Sequence, residues 1–109
     1  MVYTGTHDND TTAGWFRTLS DDIRANVVAY SGEPADGIQW GLIRAAAASK
    51  AAFAIFPLQD FLSLGSEARM NVPAQPSGNW GWRYRADALT PALAKKMATL
   101  VEVTDRQPR

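Results

Sequence analysis

An α/β architecture with parallel strand pairing is what this sequence predicts, on three observations. Val2 to Thr6 is a short run of Val, Tyr and Thr, the composition of a strand. Ala51 to Phe56 is a continuous apolar run between Lys50 and Pro57. Periodicity does not separate helix from strand there, but the length suits a strand buried on both faces. Around these runs lie segments with apolar residues at helical spacing behind helix-start residues. Strands separated by helical segments pair in parallel through right-handed crossovers. Two strands alone would leave both edges unpaired and their apolar faces open. The chain is therefore expected to be a piece of a larger α/β protein.

Taken in order, the first strand, Val2–Thr6, ends at His7. Asp10 or Thr11 then caps a helix carrying Trp15, Phe16 and Leu19 on one face. Ser20 opens a second helix, with Asp21 and Asp22 at its positive end. Ile23, Val27 and Tyr30 follow at helical spacing, and Gly32 closes it. Glu33 to Gly37 reads as a turn, from which Asp36 opens a helix through Trp40, Ile43, Arg44 and an alanine run to about Ser49. After the second strand, Pro57 starts a short helical turn, Leu58–Leu62, that stops before Gly65. Gly65 to Trp82, with its prolines, glycines and asparagines, reads as one long structured loop. Loops of that length in compact proteins are more often functional than passive. Thr90 caps the last helix, Pro91 takes its first position, and Leu93, Met97, Leu100 and Val101 form its apolar stripe. Asp105 to Arg109 is a polar tail.

Composition narrows the function classes. The 109 residues are 46% apolar and 20% charged, which suits one folded domain. Eleven basic and eleven acidic residues balance, so neither general nucleic-acid binding nor an anionic membrane surface is expected. With no cysteine there is no disulfide, thiolate nucleophile or thiolate zinc site, and a cytoplasmic location fits. No basic region followed by an apolar run marks a signal peptide. No apolar stretch approaches the roughly 20 residues of a membrane helix.

Chemistry concentrates in two places. Thr6-His7-Asp8-Asn9-Asp10 sets the only histidine beside an aspartate at a strand exit. Either this is a ligand-facing pair, or Asp8 or Asp10 merely caps the next helix while His7 bonds locally. Metal chemistry would need further histidines. A serine hydrolase would need a Gly-x-Ser-x-Gly elbow, which Ser31, Ser66 and Ser77 all lack. Neither standard Gly-rich phosphate loop is present. The second place is Leu64 to Pro73, continuing through Pro76 to Arg83. Glu67 and Arg69 could form a surface pair of little energetic weight. Asn71 and Asn79 suit turn hydrogen bonds or sugar hydroxyls alike. Trp80, Trp82 and Tyr84 alternate with period two, and in an extended segment would share a face. That face is either buried against the protein or a platform for a pyranose ring.

Together these segments resemble the C-terminal portion of the 4-alpha-glucanotransferases, the amylomaltase or disproportionating enzymes of glycoside hydrolase family 77. The likeness lies in Val2 to Thr12 with Gly14-Trp15, Phe56 to Asp60, Leu64 to Val72 and Pro76 to Arg83. It implies a (β/α)8 TIM barrel of which residues 1–109 are the last two strand–helix units. They would run from strand 7 to the final helix, without a second domain and incomplete as a barrel alone. It implies retaining transfer of α-1,4-glucan segments to glucose or another glucan, by double displacement and without a cofactor or metal. By this resemblance Asp8 is the carboxylate that stabilises the transition state, and His7 bonds sugar hydroxyls. Asn71, Asn79 and Trp80 are the further substrate-binding residues. A Glu67–Arg69 salt bridge is expected to order the loop. The nucleophile and the general acid/base would lie upstream of Met1, so the isolated chain is expected to turn nothing over. Expected partners are a maltooligosaccharide or other α-1,4-glucan and the missing N-terminal part of the barrel. Two alternatives remain: a non-catalytic maltooligosaccharide-binding module built on Trp80, Trp82 and Tyr84, and one half of a split enzyme.

Overall fold

The computed structural model describes residues 1–32 and 34–107. Glu33 of the expected turn and Pro108 and Arg109 of the expected tail lie outside the described residues. The elements run β1 (Val2–Tyr3), α1 (Thr12–Thr18), α2 (Asp21–Ser31), α3 (Ile38–Ala47), β2 (Ala54–Ile55), α4 (Leu58–Phe61) and α5 (Pro91–Val103). Short 3-10 turns at Ser66–Ala68 and Ala86–Ala88 interrupt the long segment before α5.

The two strands pair in parallel, Val2 with Ala54 and Tyr3 with Ile55, and three helices lie between them in sequence. Both strands are shorter than their sequence runs. Because side chains alternate across a strand, Val2 and Ala54 turn toward the helices and are half-buried. Tyr3 and Ile55 face the other way and remain 52% and 56% exposed. Phe53, two residues before Ile55, is exposed as well. Burial of the second strand on both faces is therefore not what this chain does: among the described residues, one apolar face and both edges of the pair are open.

The core lies on the helix side. Trp40, Ile43 and Ala47 of α3 and Leu100 of α5 are buried together, with Phe56, Phe61, Leu93 and Met97 packed on them. Complete burial of a side chain such as Ile43 contributes about 1.5–3 kcal/mol. Phe61 joins the cluster through a tilted ring contact with Trp40 at 5.4 Å and an edge-to-face one with Phe56 at 5.6 Å. At the far end Arg106 donates from Nε to Ala47 O at 2.7 Å, and from Nη2 to Ser49 O and Ala51 O at 3.2 and 2.9 Å. It thereby ties the segment after α5 to the last carbonyl of α3 and to two carbonyls of the link from α3 to β2.

Most helix starts follow the sequence. Thr11 Oγ1 accepts from Gly14 N, Ser20 Oγ from Ile23 N, and Thr90 Oγ1 from Leu93 N behind Pro91. Gly32 ends α2 at φ +77°, in the region that favours glycine. The stripe of Ile23, Val27 and Tyr30 buys α2 little cover, since none of its residues is buried. Asp36 does not cap α3. Gly37 holds the cap position without a side-chain bond. The Asp36 carboxylate is drawn off by both Arg44 Nη groups and by Lys96 Nζ at 2.8 Å. Lys96 Nζ also lies 4.0 Å from the centre of the Trp40 ring, so this cluster ties α5 to the start of α3.

Candidate functional site

Gly5 to Thr11 leaves the C-terminal end of β1, and Phe56 to Gln59 leaves that of β2. Beyond these strand ends is a cavity of about 530 Å³, with Tyr3, Thr6, His7, Ile55, Gln59, Arg69 and Met70 among the residues that line it.

The turn carrying His7 and Asp8 is wound on its own polar groups. Asn9 Oδ1 accepts from Thr6 N at 2.8 Å and from Thr6 Oγ1 at 3.1 Å, while Asn9 N donates to Thr6 O. Its base is anchored by Asp60, which is 2% exposed. One Asp60 oxygen accepts from Thr12 N at 2.9 Å, and the other from Thr12 Oγ1 at 2.7 Å and Thr4 Oγ1 at 2.6 Å. A buried carboxylate is tolerated when donors satisfy it like this. Asp60 thereby clamps residues 4 and 12, on either side of the turn, to α4. Asp10 reaches the long loop instead: Oδ2 accepts from Ser66 Oγ at 2.8 Å, and Oδ1 from Thr11 N. Gly14 permits that approach. A Cβ there would overlap Ser66 Oγ and stand 2.7 Å from Asp10 Oδ1 and 2.9 Å from Ser66 N.

The long loop comes back to Asp8. Asn71 Nδ2 donates to Asp8 Oδ1 at 2.7 Å, and Arg69 Nη2 donates to the Asp8 main-chain oxygen at 2.8 Å. His7 Nε2 lies 3.3 Å from the same Oδ1. The His7 ring is 5.1 Å from that of Trp80, at 38° to it. His7, Asp8 and Trp80 are each about half exposed, so they form a surface open to a ligand. Four of the five residues singled out in the sequence, His7, Asp8, Asn71 and Trp80, thus stand together. Asn79 sits one residue away with its amide engaged inside the loop: Oδ1 accepts from Val72 N and Nδ2 donates to Gln75 O, both at 2.9 Å.

Two expectations are corrected here. The alternation of Trp80, Trp82 and Tyr84 does not produce a strand face. Trp80 is at φ +62° with its N–H on Met70 O at 2.6 Å, a turn that carries its ring to His7. Trp82 is half-buried and Tyr84 half exposed, in a segment without strand pairing. Nor is there a Glu67–Arg69 bridge. Glu67 Oε1 accepts from Gly65 N at 3.1 Å, and Arg69 uses its guanidinium on main-chain oxygens of Asp8 and Asn71. Sequence reasoning missed Asp60 and the reach of Arg69 to Asp8. Partners 48 to 61 residues apart leave no local pattern to find them by.

Comparison with known proteins places the chain beside one family. The family model for 4-alpha-glucanotransferase matches residues 1–90. The 4-alpha-glucanotransferase of Synechocystis sp. is 52% identical over 108 residues, 98% of this chain and 21% of that protein. That of Thermus thermophilus is 42% identical over 112 residues, 97% and 22% of the two chains. The amylomaltase from Streptococcus agalactiae, solved in complex with acarbose, superposes with a TM-score of 0.94 at 30% identity. That match covers 99% of this chain and 22% of the other. The chain spans about a fifth of the length of these relatives, in their C-terminal portion. Among the described residues, no helix is long and apolar enough to cross a membrane.

Proposed function

The chain belongs to the 4-alpha-glucanotransferase family, glycoside hydrolase family 77, and on that premise we propose that it supplies the transition-state-stabilising carboxylate and substrate-binding loop of such an enzyme. Residues 1–109 then form the C-terminal segment of a (β/α)8 barrel, from strand 7 to the last helix. The parallel strand pair, its open edges and its uncovered Tyr3–Ile55 face support that reading, because a closed barrel would occupy all three. The site at the strands' C-terminal ends is where barrels of this kind keep their chemistry.

The observation that carries the reading is the convergence on Asp8. Asn71 Nδ2 holds Asp8 Oδ1 at 2.7 Å with His7 Nε2 beside it. The bonds from the protein gather on that one oxygen, so Oδ2 is the edge offered to a ligand. In retaining transfer between α-1,4-glucans, another carboxylate attacks the anomeric carbon and a carboxylic acid protonates the departing oxygen. A second sugar then takes the glycosyl unit. Positive charge grows on the sugar ring at each displacement. A carboxylate already fixed near that charge binds the transition state better than the ground state and needs no reorganisation. His7 offers a ring nitrogen to a sugar hydroxyl, Asn71 shares its amide between Asp8 and substrate, and Trp80 offers its face. Asn79 serves the substrate through the loop it braces. The acarbose bound by the Streptococcus agalactiae amylomaltase supports an oligosaccharide, here a maltooligosaccharide or other α-1,4-glucan, as the ligand.

Asp8→Asn in the full-length enzyme carrying this segment tests the assignment. Maltotriose disproportionation is expected to fall about 10²–10³-fold in kcat, the scale of losing one preorganised charge-stabilising group. Activity near wild type would overturn it. The 109-residue chain alone is expected to show no turnover, because a stabilising carboxylate without a nucleophile displaces nothing.

A further inference from the structure

The Arg69 guanidinium joins the two halves of this site through main-chain atoms. Nη2 donates to the Asp8 carbonyl at 2.8 Å, and Nε donates to the Asn71 carbonyl at 2.8 Å. The Asn71 side chain then returns to Asp8, donating to Oδ1 at 2.7 Å. These bonds form a closed ring: Asp8 main chain, Arg69, Asn71 main chain, Asn71 side chain, Asp8 carboxylate. A guanidinium is planar and rigid, so the separation of the two carbonyls it binds is set by its own covalent geometry. That separation fixes where Asn71 Nδ2 stands relative to Asp8 Oδ1. At the tip, Asp8 N also donates to Thr6 Oγ1 at 3.3 Å and the His7 ring meets that of Trp80, but among the described residues only Arg69 is bonded to the Asp8 carbonyl from the long loop. Asp60 clamps residues 4 and 12 at the base, and the bonds of Thr6 and Asn9 are internal to the turn. With Asp8 about half exposed, packing does not hold it either.

We propose that Arg69 is a positioning residue that sets the Asp8 carboxylate for catalysis by bridging the Asp8 and Asn71 main chains. The proposal rests on the reading of Asp8 as the transition-state stabiliser. A lysine cannot take its place. Its ammonium is a compact point charge and does not span two carbonyls in a fixed plane. Misplacement of a reacting geometry by about 1 Å can cost on the order of 10²-fold in rate, and the larger effect falls on the chemical step, with a smaller one on substrate affinity through Asn71.

The test uses the full-length enzyme with Asp8→Asn, Arg69→Met, Arg69→Lys and the double variant Asp8→Asn/Arg69→Met, assayed for maltotriose disproportionation. Arg69→Met is expected to lower kcat about 30- to 100-fold and to raise KM far less, by about fivefold at most through Asn71. Arg69→Lys, which keeps charge and length should the methionine variant fold poorly, is expected to recover little of that loss. The double variant is expected to be no slower than Asp8→Asn, because a carboxylate already removed cannot be misplaced. If Asp8→Asn inactivates while the folded Arg69 variants keep kcat within about threefold of wild type, the positioning role is wrong and the Asp8 reading stands. Losses that multiply in the double variant overturn it as well, since Arg69 would then act apart from Asp8. An active Asp8→Asn enzyme removes the functional reading itself and the role of Arg69 with it.

Discussion

Replacing Asp60 by alanine is expected to loosen the strand exit by about 3 kcal/mol, a cost that follows from the donors it abandons. Asp60 is 2% exposed and accepts from Thr12 N, Thr12 Oγ1 and Thr4 Oγ1. Thr12 is itself buried, so alanine strands two donors away from water, at about 1–3 kcal/mol each. Thr4 is only half-buried and its hydroxyl can turn to solvent, which adds less than about 1 kcal/mol. Release of a buried carboxylate offsets part of the sum. Asp60→Asn keeps an acceptor for Thr12 N but puts an amide where two hydroxyls now donate, and should cost about 1–2 kcal/mol. Hydrogen–deuterium exchange of the full-length enzyme reads this locally. A loss of about 3 kcal/mol speeds exchange of the Thr12 amide roughly 150-fold, and the asparagine variant should show about 5- to 30-fold. Exchange within about fivefold of wild type for Asp60→Ala, or asparagine proving more disruptive than alanine, would refute the clamp.

Two further perturbations probe other parts of the scaffold. Gly14→Ala would drive a methyl group into Ser66 Oγ and within 2.9 Å of Ser66 N. It should cost about 1–3 kcal/mol in thermal unfolding and separate Asp10 from Ser66; a melting temperature unchanged within error would show that the loop yields freely. Asp36 carries the acid dependence. Its hydrogen bond from Arg44, aided by Lys96, holds its carboxyl far below the ordinary value of 3.8. A depressed folded-state value stabilises the fold above about pH 4, and that contribution is lost as pH falls below 3.8 toward the folded value. Asp36→Asn should therefore flatten the fall in melting temperature below pH 4. At neutral pH it should cost only about 1 kcal/mol, because the Arg44 and Lys96 side chains are 46% and 36% exposed. An acid profile identical to wild type would assign the pH dependence to other carboxylates.

What could be read from the sequence is what short-range chemistry dictates. Thr11, Ser20 and Thr90 cap helices because a hydroxyl three residues ahead of an orphan amide needs no other information. Asp36 looks equally suited, yet it serves Arg44 and Lys96, eight and sixty residues further on, and a stronger charged partner outcompetes a backbone amide. Arg69 shows the same limit from the other side. Glu67 is its obvious neighbour, but the turn at Ser66–Ala68 sends Glu67 back to Gly65 N and aims Arg69 at residue 8.

The tryptophan alternation failed because period two presumes extended backbone, and Trp80 lies in the left-handed region. No residue pattern near Trp80 announces that geometry; it goes with the bond from Trp80 N to Met70 O. The sequence by itself determined the α/β order, most helix starts, the place of His7 and Asp8 at a strand exit, and the family. These depend on residue type and spacing along the chain. Only the tertiary structure decided which groups meet there: Asn71 and Arg69 on Asp8, Trp80 by His7, and Asp60 beneath the turn. Hydrogen bonds between residues some 50 to 60 positions apart are chosen by how the helices and the long loop pack, and by the competition among donors that packing brings within reach.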